Sequence, residues 1–150
     1  MNKTKITVFI ALGIAVLAFT LLGFSKRPGG EPWTQEQLMP PAELAKAING
    51  GKAADIHIFD IGPAGEIKGA VHIGEGRDPA NIGKLRAELE KLPKDAQVVI
   101  YCGCCPFKNC PNVRPAFTLM NEMGFTNQRL LDLSENLKVD WIDKGYPMAD

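Results

Sequence analysis

All four cysteines of this 150-residue chain, Cys102, Cys104, Cys105 and Cys110, fall within the stretch VVIYCGCCPFKNCPNVRPAF (Val98–Phe117). Thiols packed that closely suit a nucleophile with helpers, a disulfide, or a metal knuckle. The reactive form of cysteine is the thiolate, and an ordinary thiol with a pKa of about 8.5 is mostly protonated at neutral pH. A sulfur placed between a strand end and a helix start meets unpaired backbone N–H groups and the positive end of a helix dipole, which both favour an anion. Cys102 ends the apolar run VVIYC and is the leading candidate for the nucleophile. Cys110 stands just before Pro111 and the following helix, where the dipole is strongest. Cys102-Gly-Cys-Cys105 is also a Cys-x-x-Cys, so Cys105 could resolve an oxidised Cys102 by closing a disulfide. Cys104, Cys105 and Cys110 therefore remain candidates for a resolving or alternative nucleophile. Lys108 and Arg114 bring positive charge to the loop and are candidates for binding an anionic substrate. The blander assignments are a solvated lysine and an arginine paired with an acid. As a metal site, Cys-x-Cys-Cys-x4-Cys offers four sulfurs, but structural zinc sites usually use two separated pairs. The expectation is no metal, with zinc or an iron–sulfur cluster fitting less well than thiol chemistry.

The elements that must position this loop can be read on either side of it. AQVVIYC is a continuous apolar run, as expected of a strand buried on both faces of a parallel sheet. After the loop, Val113, Ala116, Phe117, Met120 and Met123 mark one face of a helix that Gly124 stops. Pro115 fits only its first turn, so the helix must begin close to the cysteines. IHIFD (Ile56–Asp60) and GAVHIG (Gly69–Gly74) read as short strands, as does QRLLDL. DPANIGKLRAELEKLPKD has Asp78 as N-cap, Pro79 in the first turn and Ile82, Leu85, Leu89 and Leu92 at helical spacing, with Pro93 as the stop. TQEQLMPPAELAKAING reads as a lead-in followed by a helix, with Pro41 in its first turn. SENLKVDWIDKG reads as a last helix ending at Gly145. Strands alternating with helices give an α/β domain with a mostly parallel sheet. Ligands in such sheets gather beyond the carboxyl ends of the strands, which is where Cys102 falls. His57 and His72 are expected to be packed or hydrogen-bonded on their strands. Asp60 is expected to accept backbone N–H bonds at a turn, and Trp141 and Tyr146 to pack around the last helix.

Taken together, the chain from about Trp33 to Met148 resembles a single rhodanese-like domain. IFDIG resembles the family's strand ending in Asp, and GEIKGAVHIG its Gly-x-Ile-x-Gly-Ala-x-x-Ile stretch. VVIYC resembles the strand that delivers the nucleophilic cysteine, AFTLMNEMGF the helix after the active loop, and WIDKGYP the closing segment. The resemblance implies a sheet of roughly five strands flanked by helices, and sulfane-sulfur transfer through a cysteine persulfide. On that footing Cys102 takes the outer sulfur of thiosulfate or a related donor, sulfite departs, and a thiol acceptor removes the sulfur. This covalent route divides one transfer into two. Three departures stand out. The loop from Cys102 to Arg114 is about twice the family's length, Gly62 replaces an arginine after the strand Asp, and SEN replaces a Gly-Gly before the last helix. No arginine stands where the family's phosphatases grip a phosphoryl group.

Ahead of this domain, residues 33–150, the chain changes character. MNKTK carries two lysines, Ile6–Phe24 carries no charge, and SKRPGG breaks the run. That length suits a membrane-crossing helix and exceeds a usual signal-peptide core. Residues 1–25 are therefore expected to be an N-terminal hydrophobic helix, either an anchor or a cleaved signal, with 26–32 as a linker. The default orientation places the domain outside the cytoplasm, as a periplasmic, membrane-anchored or exported domain. Charges balance at 17 against 17, which gives no global field for nucleic acid. The expected partners are a small sulfur compound, a thiol acceptor and, through the anchor, a membrane. Two further functions suit the same loop: thiol–disulfide exchange through Cys102 and Cys105, and a non-catalytic module braced by disulfides or metal.

Overall fold

Val98, Val99, Ile100 and Tyr101 are all fully buried, as a strand walled on both faces requires. They lie in β4 (Gln97–Tyr101), the middle strand of a five-stranded sheet. A computed structural model describes residues 30–63 and 65–150 of the chain. The other strands are β1 (Leu38–Met39), β2 (Ile56–Asp60), β3 (Ala70–His72) and β5 (Gln128–Leu131). Their order is β1-β5-β4-β2-β3, and every pairing between them is parallel. The α/β fold with a parallel sheet and flanking helices is thus the one expected.

Alternation along β4 divides the core in two. Val98 and Ile100 face α2 (Pro79–Leu89) and α3 (Val113–Glu122), packing with Leu85, Leu89, Phe117 and Met120. Val99 and Tyr101 face the other way, toward α1 (Pro41–Asn49) and α4 (Leu137–Asp140), packing with Leu44, Leu137 and Trp141. Each such side chain contributes roughly 1.5–3 kcal/mol through burial. Because side chains alternate with a period of two, the residue after Tyr101 must point to the α2–α3 side. That residue is Cys102, which packs in the same cluster as Ile100.

Local chemistry sets the helix boundaries much as expected. Asp78 accepts the Ala80 N–H at 2.9 Å, with Pro79 in the first turn of α2. Gly124, at φ +78°, follows α3 where an L side chain would be strained. α2 ends at Leu89, short of Pro93, and a turn through Lys91 and Leu92 keeps Leu92 against the core. Two other expectations need correction. The lead-in before α1 contains β1, a two-residue strand pairing Leu38 with Leu130 and Met39 with Leu131; two residues are too few to show any period. The single last helix is two pieces, α4 and a 3-10 turn at Ile142–Lys144. The break falls at Trp141 (φ −131°, ψ −61°), whose buried indole donates to the Pro147 carbonyl at 3.1 Å and meets Tyr146 edge-on.

The expected hydrophobic segment at residues 1–25 lies outside the described residues, and among the described residues no helix is long and apolar enough to cross a membrane. Glu31–Asp150 forms one compact unit. Its first residues are tied down: Glu31 pairs with Arg114 at 2.7 Å, and the Pro32 carbonyl accepts from Asn121 at 2.7 Å.

Replacing Trp141 by alanine is expected to cost about 3–5 kcal/mol in urea denaturation, because it empties the largest fully buried side-chain site. Val139→Ala, at a side chain 40% exposed on the same helix, should stay within about 0.5 kcal/mol.

Candidate active site

Cys102 leaves the end of β4 and turns under the neighbouring strand. The Ile61 N–H bonds the Tyr101 carbonyl at 2.9 Å, so the chain after β2 runs beside the cysteine. A Cβ at position 62 would lie 2.5 Å from Cys102 Sγ. Only glycine lets sulfur and backbone meet so closely, which explains why an arginine is absent there. The turn is held by Asp60, fully buried, whose Oδ1 accepts the Gly62 N–H at 2.9 Å. Its Oδ2 lies 2.7 Å from His72 Nδ1. Burial raises the Asp60 carboxyl to about 6, with bonds from His72 and Gly62 opposing and the Cys102 charge adding to the rise. Asp60 and His72 thus have the structural roles expected of them.

Cys102 is only 1% exposed, and burial alone would push its thiol up. Hydrogen bonds reverse that outcome. The Cys110 thiol is the largest contributor, followed by the Asn112 side chain and then the backbone N–H and thiol of Cys104, and together they lower Cys102 to about 5. Asn112 Nδ2 donates at 3.3 Å, and Cys104 Sγ lies 3.4 Å away. The neighbouring thiols move the other way. Their bond to Cys102 and burial push Cys110 up, while burial, then the contacts with Cys105 and Cys102, takes Cys104 to about 12. Among Cys102, Cys104 and Cys110 the charge is therefore favoured on the sulfur at the strand end.

Asn112 was not among the residues singled out from the sequence. It is buried, and its Oδ1 accepts the Arg77 N–H at 3.1 Å, which turns Nδ2 toward the sulfur. The segment carrying Arg77 is fixed to the end of β2, since the Gly76 N–H bonds the Ile61 carbonyl at 3.0 Å. A Cβ at Gly76 would come within 2.4 Å of the Asn112 carbonyl oxygen. The sequence signal was an asparagine in the N-cap position of α3, normally a capping residue, whose side chain makes no cap bond. Charge stabilisation also differs from the expected cradle of helix-start amides. The Asn112 backbone N–H serves Cys110, and the anion receives a side-chain amide, one loop amide and two thiols.

The long loop is anchored rather than loose. Phe107 is buried against Trp33, with ring centroids 6.0 Å apart, and its N–H bonds the Leu133 carbonyl at 3.1 Å. The Gly103 carbonyl accepts from Leu137 N–H at 2.9 Å. Both bonds reach the segment after β5, where SEN stands. Arg114 braces the loop from outside, donating to the Lys108 carbonyl at 2.6 Å and to Glu31. Its guanidinium also sits over Trp33. Lys108 is exposed and lines a depression with Asp132 and Ser134. The structure gathers Cys102, Cys104 and Cys110, whose Sγ atoms lie within 4.8 Å of one another, and sets Cys105 Sγ 3.3 Å from Cys104 Sγ.

Residues 40–134 match the model of the rhodanese-like domain family. Among solved structures, that of a cysteine-to-serine variant of EanB in complex with hercynine superposes with a TM-score of 0.54 at 17% identity. The alignment covers 75% of this chain and 27% of that one, so the chain spans about a quarter of that protein's length. At that identity the likeness concerns the fold. No curated protein matches the chain.

A thiolate exists above its pKa, so the ultraviolet thiolate signal that disappears in Cys102→Ser should persist on acidification until it falls through about pH 5. Asn112→Ala removes a hydrogen bond to a charged group, and the inflection should rise by about one to two pH units. Gly62→Ala should displace the sulfur and abolish the low-pH inflection, with the fold retained by circular dichroism.

Proposed function

Because the chain belongs to the rhodanese-like domain family, we propose that it transfers sulfane sulfur from thiosulfate or a related donor to a thiol acceptor through a persulfide on Cys102. The observation that carries this reading is a buried thiol, lowered to about 5 by converging donors, at the carboxyl end of the central strand. Cys102 thiolate attacks the outer sulfur of thiosulfate. The donor's S–S bond breaks, sulfite leaves with the bonding pair, and a Cys102–sulfur bond forms. The thiolate of the acceptor then attacks the terminal sulfur and returns Cys102 to its anionic state. Cys102 is already an anion, so the first step needs no general base, the acceptor reacts through its own thiolate fraction, and the carrier is the protein's own sulfur rather than a cofactor.

The donors around Cys102 suit the persulfide as well as the thiolate. Asn112 Nδ2 is fixed by its own carbonyl's bond to Arg77, so it need not reorganise when negative charge moves one sulfur outward. Cys104, exposed and 3.4 Å from Cys102 Sγ, covers the approach, and a donor must move its thiol aside. The uncharged run Ile6–Phe24 is the basis for placing this activity outside the cytoplasm, at or near a membrane.

Treating the reduced full-length chain with thiosulfate should add one sulfur atom to its intact mass and release one sulfite. Cys102→Ser should take up none, and Asn112→Ala should load roughly tenfold or more slowly. Sulfur uptake that persists undiminished in Cys102→Ser would remove the proposal.

A further inference from the structure

Three of the four thiols converge, and the fourth adjoins them. The 3-10 turn at Phe107–Asn109 folds the chain back, with the Cys110 N–H bonding the Phe107 carbonyl at 3.2 Å. That return brings Cys110 onto Cys102 across the intervening residues. The Sγ atoms of Cys102, Cys104 and Cys110 lie within 4.8 Å of one another, with Cys102 and Cys104 at 3.4 Å. Cys105 Sγ adjoins this triangle at 3.3 Å from Cys104 Sγ. None of the four is in a disulfide. The loop carrying them is pinned through Gly103 and Phe107 to the segment after β5, so the sulfurs are held together before anything binds.

We propose that this cluster is a zinc site, with Cys102, Cys104 and Cys110 as ligands and Cys105 as the fourth. A tetrahedral zinc ion with Zn–S bonds of about 2.3 Å needs sulfurs about 3.8 Å apart, close to the separations among Cys102, Cys104 and Cys110; Cys105 Sγ, 3.3 Å from Cys104 Sγ, lies outside that triangle and must swing in as the ion binds. Four sulfurs without nitrogen or oxygen form a soft donor set, which selects zinc, copper(I) or an iron–sulfur cluster over magnesium, calcium or manganese. Three Sγ atoms within 4.8 Å of one another suit a single ion rather than a cluster, and four thiolates complete the tetrahedral coordination of zinc. Asn112 Nδ2, donating to Cys102 Sγ, supplies the outer hydrogen bond that orients a ligating thiolate. Two of the ligands are buried and Cys104 is exposed, so the ion enters from the Cys104 side. Cys102 is shared with the proposed sulfur-transfer chemistry, and zinc and sulfane sulfur become alternative occupants of one atom. The metal assignment does not rest on that chemistry.

The test uses the full-length chain, reduced and held without oxygen. Titration with cobalt(II) should give tetrahedral d–d bands and a thiolate charge-transfer band that saturate at one ion per chain, and one equivalent of zinc should displace them. Cys104→Ser, at an exposed position where folding is secure, should weaken binding at least 100-fold, and Cys105→Ser at least tenfold. Absence of these bands, unchanged affinity in Cys104→Ser, or retention of copper(I) but not zinc would overturn the assignment. Sulfur uptake from thiosulfate is then measured with and without zinc. Zinc-loaded protein should take up at least tenfold less sulfur than the metal-free protein. Metal binding without uptake in the metal-free protein removes the sulfur-transfer reading alone, whereas uptake without metal binding removes the zinc site alone.

Discussion

The hydrogen bonds that meet at Cys102 Sγ take the place of the water that burial removes. An anion enclosed by Ile100, Phe117 and their neighbours would ordinarily give up its charge. Here an amide side chain, a loop amide and two thiols point at it, and the charge stays. Much of the surrounding architecture follows from that requirement. Asn112 must be oriented, so Arg77 holds its oxygen; the segment carrying Arg77 must be fixed, so Gly76 binds the end of β2. Gly62 must lack a side chain because the sulfur occupies the space. Removing any one of these supports shifts the balance between desolvation and hydrogen bonding on a single atom.

The elements were legible in the sequence where their patterns are long. The apolar run of β4, the helical spacing of α2 and the punctuation by Gly124 and Pro115 each have one physical interpretation, and the structure follows it. The position of Cys102 beyond the central strand came from the same logic. β1 was hidden because two residues carry no periodicity, and its partner β5 lies some ninety positions away. The last helix misled because its spacing is helical up to Trp141, where the backbone leaves helical angles and the indole bonds the Pro147 carbonyl six residues on. Within the site, Cys102 was readable and Asn112 was not. Its role comes from a backbone amide thirty-five residues earlier, and no local pattern records such a contact. Gly62 was noticed as a departure without its cause, because the cause is the position of a sulfur forty residues later.

The doubled loop and the altered segment before the last helix are parts of one arrangement. Phe107 gives the loop an apolar foot beside Trp33, and the hydrogen bonds of Gly103 and Phe107 fasten it to Leu137 and Leu133. A loop of this length pays only a modest extra closure entropy, and burial of one aromatic ring offsets it. Arg114 closes the outer side by tying the loop's carbonyls to Glu31 at the start of the folded unit. A segment that looks in the sequence like an insertion is thus knitted into the core at both ends.

The outermost strands of the sheet are very short, two residues in β1 and three in β3. A long exposed border would leave a row of unpaired amides and carbonyls able to recruit another copy of the chain. Here the borders offer little template, and Arg129 already occupies the Leu38 carbonyl on the β1 side. A domain with four unbridged cysteines on one loop is thereby spared the backbone-to-backbone stacking that would bring those sulfurs from different molecules together, and polymerisation through intermolecular sulfur bridges loses its easiest starting geometry.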